Sequence, residues 1–373
     1  MAASKSARWS LALIAVAGAA VVTGCGGGSS DNASSGTSGA GGTSGAGGTS
    51  ASSGGAGGAT KLTGAGATFP FPLYSQWFST YNKARGVQIN YQSIGSGAGI
   101  KQLAAQTVDF GASDAPVDDA GIAKMPSPIV HIPTVGGAVV LAYNLPDAPK
   151  SLKMTGADAA NLFLGKITKW NDPALAKSNP GVALPDKAVT IAHRSDGSGT
   201  TNIFTNYLAA VSPEWKSKPG AGKSVAWPVG IGGKGNDGVA GIIKQTPGAI
   251  GYVELAYAKK NNISYALVQN KAGQFVEPGP ASVTAAAQAS ASALASDVRA
   301  PIANASAPGA YPIAGFTYIL AYKKQRDAAK GAALKSFLKW AMTDGQKDAE
   351  GLLYAPLPAS VVAQNQKTID SIS

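Results

Sequence analysis

His193-Arg194-Ser195-Asp196-Gly197-Ser198-Gly199-Thr200-Thr201-Asn202-Ile203-Phe204 follows a strand-like run, Val189–Ala192, and leads into an apolar helical pattern. A strand therefore hands over to a helix through a turn of bare backbone. The first turn of a helix has unpaired N–H groups and a partial positive charge, so this handover suits an anion. Arg194 adds a planar fork of donors, and Asp196 a carboxylate. Taken alone, the stretch also fits an ordinary tight turn with an N-cap.

Outward from this stretch the pattern repeats. Val87–Tyr91, Thr107–Gly111, Val139–Asn144, Ala249–Val253 and Tyr318–Tyr322 read as further strands. Phe71–Ala84, Gly99–Gln106, Ala157–Phe163, Asn202–Ala210, Gly238–Gln245 and Lys330–Met342 read as helices, with Leu73, Trp77, Phe78 and Tyr81 at helical spacing. Alternation of this kind predicts α/β architecture. The Ala-rich stretch Ala281–Arg299 reads as helical.

Two more glycine loops copy the first. Thr63-Gly64-Ala65-Gly66-Ala67-Thr68-Phe69-Pro70 stands before the helix at Phe71, and Ile94-Gly95-Ser96-Gly97-Ala98-Gly99 before the helix at Gly99. A fourth, Gly233-Lys234-Gly235-Asn236-Asp237-Gly238, matches GxGxxG after a strand-like Val225–Gly230, with Glu254 near the place of a ribose-binding acid. Its late position in the chain favours a capped turn over a dinucleotide site. Gly220–Ser224 lacks the first glycine of a Walker loop, since that position is Ser217. Neither Ser96 nor Ser198 has the glycine two residues ahead that a hydrolase elbow needs. His131 and His193 are the only histidines, so no metal site or cofactor is expected. His193 beside Ser198 keeps a secreted phosphomonoester hydrolase as the alternative reading.

A tetrahedral oxyanion needs donors from several directions. Thr68, Ser96, Ser198 and Thr200 offer hydroxyls, the loops offer N–H groups, and Arg194 can hold two oxygens. Asp114, in Phe110-Gly111-Ala112-Ser113-Asp114-Ala115-Pro116, is different, because an ionised carboxylate only accepts. It would repel fully ionised sulfate and take the proton that phosphate still carries. A helix cap before Pro116 is the other role that fits Asp114. Asp196 fits either an orienting partner of Arg194 or an N-cap.

The N-terminus sets the compartment. Lys5 and Arg8 precede the apolar run Trp9–Thr23, too short for a comfortable span, and Val22-Thr23-Gly24-Cys25 resembles a lipobox. Cys25, the only cysteine, is the expected lipidation site. Residues 26–60 are almost wholly Gly, Ser, Ala and Thr, a tether with a reach of about 30 Å. The formal charge of +11 suits an anionic ligand, and no Lys/Arg block with interleaved aromatics supports nucleic acid.

"TGAGATFPFPLYSQW", "YQSIGSGAGIKQLAAQTVDFGASDAPV", "HRSDGSGTTNIFTNYL" and "GIGGKGNDGVAGIIKQTPGAIGYVELAYA" closely resemble the phosphate-binding proteins of the bacterial phosphate-specific ABC transport system. The resemblance runs from about Leu62 to Pro358. It implies a two-lobed type II periplasmic binding protein, with two α/β domains joined by a two-segment hinge. Domain I would comprise 61–136 and 313–373, and domain II 137–312, with crossings near Thr134–Gly137 and Tyr311–Ala314. It implies phosphate contacts from Thr68, Phe69 (through its N–H), Ser96, Asp114, Arg194, Ser198, Gly199 and Thr200, with Asp196 supporting Arg194. It further implies a monomeric, non-catalytic, extracytoplasmic receptor; the lipid anchor expected at Cys25 comes from the lipobox, which is not universal in the family. Such a receptor would deliver phosphate to permease subunits and their ATP-binding partners.

Overall fold

The computed structural model describes residues 60–146, 148–149 and 151–373; the expected signal, Cys25 and nearly all of the tether lie outside them. The main strands are β1 (Lys61–Gly66), β2 (Gln88–Ser93), β3 (Phe110–Ser113), β4 (Ile129–Tyr143), β5 (Thr190–Arg194), β6 (Ile231–Gly233), β7 (Ala249–Glu254) and β8 (Ala314–Tyr322). They follow the order β2-β1-β3-β8-β4-β7-β5-β6, with Ser264–Tyr265 added on β4. β1 runs parallel to β2 and β3, and β5 parallel to β6 and β7, while β4 and β8 run antiparallel to their neighbours. The main helices are α1 (Phe71–Arg85), α2 (Ser96–Ala104), α3 (Gly156–Phe163), α4 (Gly199–Val211), α5 (Gly235–Gln245), α6 (Leu255–Lys260), α7 (Pro280–Ala289), α8 (Ala291–Ser296), α9 (Ala328–Ala341) and α10 (Ala359–Asp370).

β4 makes the sheet two-lobed. Its first part, Ile129–Ala138, pairs with β8, and its second, Val139–Tyr143, pairs with β7. One continuous strand thus passes from the group β2-β1-β3-β8 to the group β7-β5-β6. A register shift lies between Thr317 and Tyr318, which pair with Val135 and Pro133 and leave Thr134 over between them. Proline has no N–H for the ladder, so an irregularity is where a central strand can hold it. The fold is α/β, as expected, and bilobal.

Local sequence explains the best-read helix. α1 buries Leu73, Tyr74, Trp77, Phe78 and Tyr81 on one stripe, starts with proline in its first turn and ends at Gly86, whose φ of 69° closes the last turn. Three other helices begin three residues before their expected starts, at Ser96, Gly199 and Gly235. Glycine's poor propensity hides a first turn whose N–H groups need no helical partner. The run Val225–Gly230 is irregular, not a strand; only Ile231–Gly233 pairs, along the edge with β5. Ala281–Arg299 is two helices, broken at Ser290. This segment wraps back: α7 packs on β4 and α8 on α10, and Arg299 reaches Asp119 at 2.8 Å.

Trp77 anchors α1. It is fully buried, donates from Nε1 to the Gly345 carbonyl at 2.7 Å and stacks on Tyr74. Trp77→Ala should cost about 3–5 kcal/mol of folding stability, read as a lowered midpoint in urea unfolding.

Candidate functional site: a donor-lined interlobe cleft

Three glycine-bearing first turns meet where the two strand groups face each other, together with the loop after β1 and the end of β3. The contact is direct. The Gly97 N–H donates to the Gly197 carbonyl at 2.8 Å, and the Gly199 N–H to Ser96 Oγ at 3.0 Å. A Cβ at Gly199 would lie 2.6 Å from the Asp114 backbone N, Cβ and Oδ2, and one at Gly95 only 2.1 Å from Asp196 Oδ2. The lobes are closed on one another, and at these positions only glycine fits.

Arg194 ends β5 and is 4 % exposed. Its Nε and Nη2 donate to the two oxygens of Asp196 at 2.8 and 2.7 Å, and Nη1 lies 3.3 Å from Thr200 Oγ1. Burial works against ionisation of Asp196, but the hydrogen bonds and charge of Arg194 prevail and hold it below the usual carboxylate range. A guanidinium carries five N–H groups in a fixed fork. Asp196 occupies the Nε/Nη2 edge, so the Nη1/Nη2 edge is the one that can take two oxygens of an anion. Asp196 is not the N-cap of α4; Ser198 caps that helix by accepting from the Thr201 N–H, while Asp196 Oδ1 accepts from the Gly235 N–H at the start of α5.

The hydroxyls share one arrangement. Thr68 Oγ1 accepts from the N–H and the Nδ2 of Asn236. Thr200 Oγ1 accepts from Asn236 Nδ2 and Arg194 Nη1. Ser96 Oγ accepts from the Gly199 N–H, and Ser198 Oγ from the Thr201 N–H. All four side chains are buried, and each accepts from an N–H. Each hydroxyl therefore keeps its own proton to donate.

Asp114 is 3 % exposed and accepts from Thr317 Oγ1 at 2.9 Å. It caps no helix; Asp118 caps the short turn that follows. Burial raises its pKa to about 7, against the opposing pull of Thr317, Arg194 and Thr200. A group near neutrality switches between acceptor and donor over a narrow pH range.

The structure brings Thr68, Ser96, Asp114, Arg194, Ser198, Gly199 and Thr200 together; of Phe69, next to Thr68, the ring is fully buried and the carbonyl accepts from Tyr354. Asp196 is beside them. Ser198 and His193 form no dyad, since His193 stacks on Trp227 and its Nδ1 lies 3.1 Å from the Arg194 carbonyl. Sequence reading missed Asn236, which links Thr68 to Thr200 from the start of α5. The strand–glycine–helix pattern of its loop was the available signal. It also missed Thr317, an unremarked threonine in a strand. Glu254 is no ribose-facing acid; it is fully buried and caps α6. Among the described residues no cluster of three or more His, Cys, Asp or Glu could hold a metal, and no helix is long and apolar enough to cross a membrane.

Comparison with known proteins bears on this cleft. Residues 37–344 match the PBP superfamily domain. The chain is 48 % identical over 353 residues to the phosphate-binding protein PstS of Xylella fastidiosa (strain Temecula1), covering 94 % of this chain and 95 % of that one. The chain belongs to the PstS family of phosphate-binding proteins. It is also 46 % identical to PstS of Pasteurella multocida, over 83 % of this chain and 89 % of that one. Among solved structures, a high affinity periplasmic phosphate-binding protein bound with phosphate matches with a TM-score of 0.67. That match has 21 % identity and covers 83 % of this chain and 93 % of the other. A phosphate-binding protein from Stenotrophomonas maltophilia gives the same TM-score at 19 % identity, with the same shares covered. These structures share the bilobal fold.

The raised pKa of Asp114 has a consequence for stability. The folded chain holds a proton that the unfolded chain releases near the ordinary carboxylate value of 3.8. The stabilisation is full below that value and is lost as pH rises through about 7. Asp114→Asn should flatten this part of the pH–stability curve, measured by urea unfolding between about pH 4 and pH 8 against the parent chain.

Proposed function

We propose that the protein captures inorganic phosphate in the cleft between its lobes and delivers it to the permease of an ABC importer, without catalysing a reaction on it. One observation carries this reading. The hydroxyls of Thr68, Ser96, Ser198 and Thr200, each already accepting from an N–H, each keep a hydrogen to offer beside the free edge of Arg194. Such a wall suits a ligand made almost wholly of acceptors. The backbone N–H of Phe69 and the first turns of α2 and α4 add donors without adding charge.

Asp114 supplies the exception. Its Oδ1 is engaged by Thr317, which leaves Oδ2 to accept. A phosphate that retains a proton can satisfy this oxygen; fully ionised sulfate cannot, and like charges would meet in a site shielded from water. The relatives named PstS support phosphate as the ligand of this chain, and their family supports a periplasmic place of work.

The lobes assigned here are 61–136 with 313–373, and 137–312, with 280–296 wrapped back onto the first. They hinge near residues 134–137, within β4, and 311–314, at the start of β8. Only the closed form brings Thr68, Ser96 and Asp114 against Arg194, Ser198 and Thr200, so a ligand touching both sets biases closure. The anchor belongs to the same proposal: Cys25 carries lipid, and the tether keeps a monomeric receptor near a membrane, outside the cytoplasm.

Calorimetry on the purified protein should show tight one-to-one binding of phosphate and no heat with sulfate at about pH 8. Equal heats for the two anions would overturn the assignment. Arg194→Ala should weaken phosphate binding at least about a hundredfold, since it strips a charge-assisted pair from a buried site. Asp114→Asn should keep most phosphate affinity and admit sulfate. Acidifying the parent protein to about pH 5.5 should likewise let sulfate in, because protonated Asp114 donates. Sulfate exclusion that is independent of both pH and Asp114 would remove the carboxylate from selectivity.

A further inference from the structure

Glu254 is the last residue of β7, opposite Val139 where β4 passes from one lobe to the other. It is fully buried. Its Oε2 lies 2.9 Å from the Ala256 N–H and 3.1 Å from the hydroxyl oxygen of Tyr354; its Oε1 is buried without a hydrogen-bond partner among the described residues. The Tyr354 hydroxyl is also 2.7 Å from the Phe69 carbonyl.

A phenol has one proton, and a carbonyl can only accept. The shorter contact, to Phe69, therefore takes the Tyr354 proton. The remaining oxygen–oxygen contact, between Tyr354 and Glu254, is a hydrogen bond only if the carboxyl carries the hydrogen. Nearby contacts show what this bond holds. The Tyr257 hydroxyl donates to the Thr68 carbonyl at 2.5 Å, so two successive carbonyls are each gripped by a phenol. The Glu254 N–H donates to Asn236 Oδ1 at 2.9 Å, and Asn236 in turn reaches Thr68 and Thr200.

We propose that Glu254 is a positioning residue of the anion site and acts as a neutral carboxylic acid, donating its proton to Tyr354 and so fixing the Phe69–Pro70 peptide, the neighbour of the Thr68–Phe69 peptide whose N–H is assigned to the ligand. Its influence on affinity rests on the phosphate reading above; its proton does not. Burial pushes the Glu254 carboxyl well above its ordinary range, and the charge of Asp114 pushes the same way. The titratable and charged groups around it are Tyr354 on the C-terminal loop, Tyr257 on α6 and Asp114 beyond β3, with Asp237 and Arg194 next to Tyr257. Among the described residues no cation touches Glu254 itself, so no ion pair repays its ionisation. Ionised, it would set a second carboxylate beside an incoming anion.

The test has two arms. Infrared difference spectra of the parent protein against Glu254→Gln, without ligand at about pH 7, should contain the carbonyl stretch of a protonated carboxylic acid. A carboxylate pair of bands in its place would overturn the proposal. Phosphate titrations form the second arm. Glu254→Gln, whose amide can donate to Tyr354 but cannot at the same atom accept from the Ala256 N–H, should bind within about tenfold of the parent at neutral pH, whereas Glu254→Leu, which makes neither bond, should lose more. As pH rises, the parent should lose affinity relative to Glu254→Gln, because only the parent can ionise there. Should the Leu variant fail to fold, Tyr354→Phe removes the bond between Glu254 and Tyr354 and should likewise lose affinity. Parallel pH profiles for the parent and the Gln variant, or full affinity in Leu and Phe variants that fold, would count against it. A parent protein that binds no phosphate would defeat the functional reading alone, since the infrared arm needs no ligand.

Discussion

A guanidinium sealed from water governs this architecture. Arg194 is 4 % exposed, and an unpaired charge in such a place costs more than a fold of marginal stability can absorb. Asp196 answers with both oxygens on one edge of the fork and locks the plane of the group. That pairing cancels the charge before any ligand arrives. Attraction for an anion then rests on the free edge of the fork together with dipoles, and the first turns of α2, α4 and α5 meet at this one place. The α5 turn is already engaged within the protein: its Gly235 N–H donates to Asp196 Oδ1, and its Asn236 N–H to Thr68. Helix ends can therefore serve as scaffolding for the donors as well as donors themselves.

Glycine does a second job here that composition does not reveal. Low helix propensity makes the loops look like turns, yet at Gly99 and Gly199 backbones pass too close for any side chain, and at Gly97 and Gly197 a side chain would force its neighbour to shift. A Cβ at Gly99 would lie 2.4 Å from the Gly66 Cα, and one at Gly97 3.1 Å from the Gly197 Cα. The first contact is within a lobe and the second is between lobes. The same residue type thus seats α2 against β1 and lets the cleft shut. Closure buries the polar groups of both walls, and it succeeds because they satisfy each other, as Gly97 with Gly197 and Thr68 with Asn236 show.

Much of this was legible in the order of residues. The β-branched runs and the α1 stripe marked α/β layers, and the resemblance of the glycine loops assembled one site from stretches more than a hundred residues apart. What stayed hidden has physical causes. β1 was lost inside a run of small residues whose strand character comes only from pairing with β2 and β3. Helix starts were read three residues late, because propensity scores the residue and not the tertiary contact that holds the first turn. Thr317 carries no local signal; it matters because β8 lies beside both β3 and β4 and brings a hydroxyl to Asp114. Asn236 was visible within a motif, but the motif pointed to the wrong ligand.

Two buried carboxyls within one site would be expected to behave alike, and the donors around them explain why they do not. Desolvation raises both. Asp114 has the Thr317 hydroxyl on one oxygen, the charge of Arg194 nearby and Thr200 against it, so its pKa stops at about 7. Glu254 has the Ala256 N–H on one oxygen and, among the described residues, nothing on the other, with a tyrosine whose proton is committed elsewhere. One group is left poised between accepting and donating, the property on which the proposed selectivity for phosphate draws. The other is held as a donor and builds the wall. Exchanging their surroundings would exchange their roles, so chemistry in this cleft is assigned by what each carboxyl touches and not by its being a carboxyl.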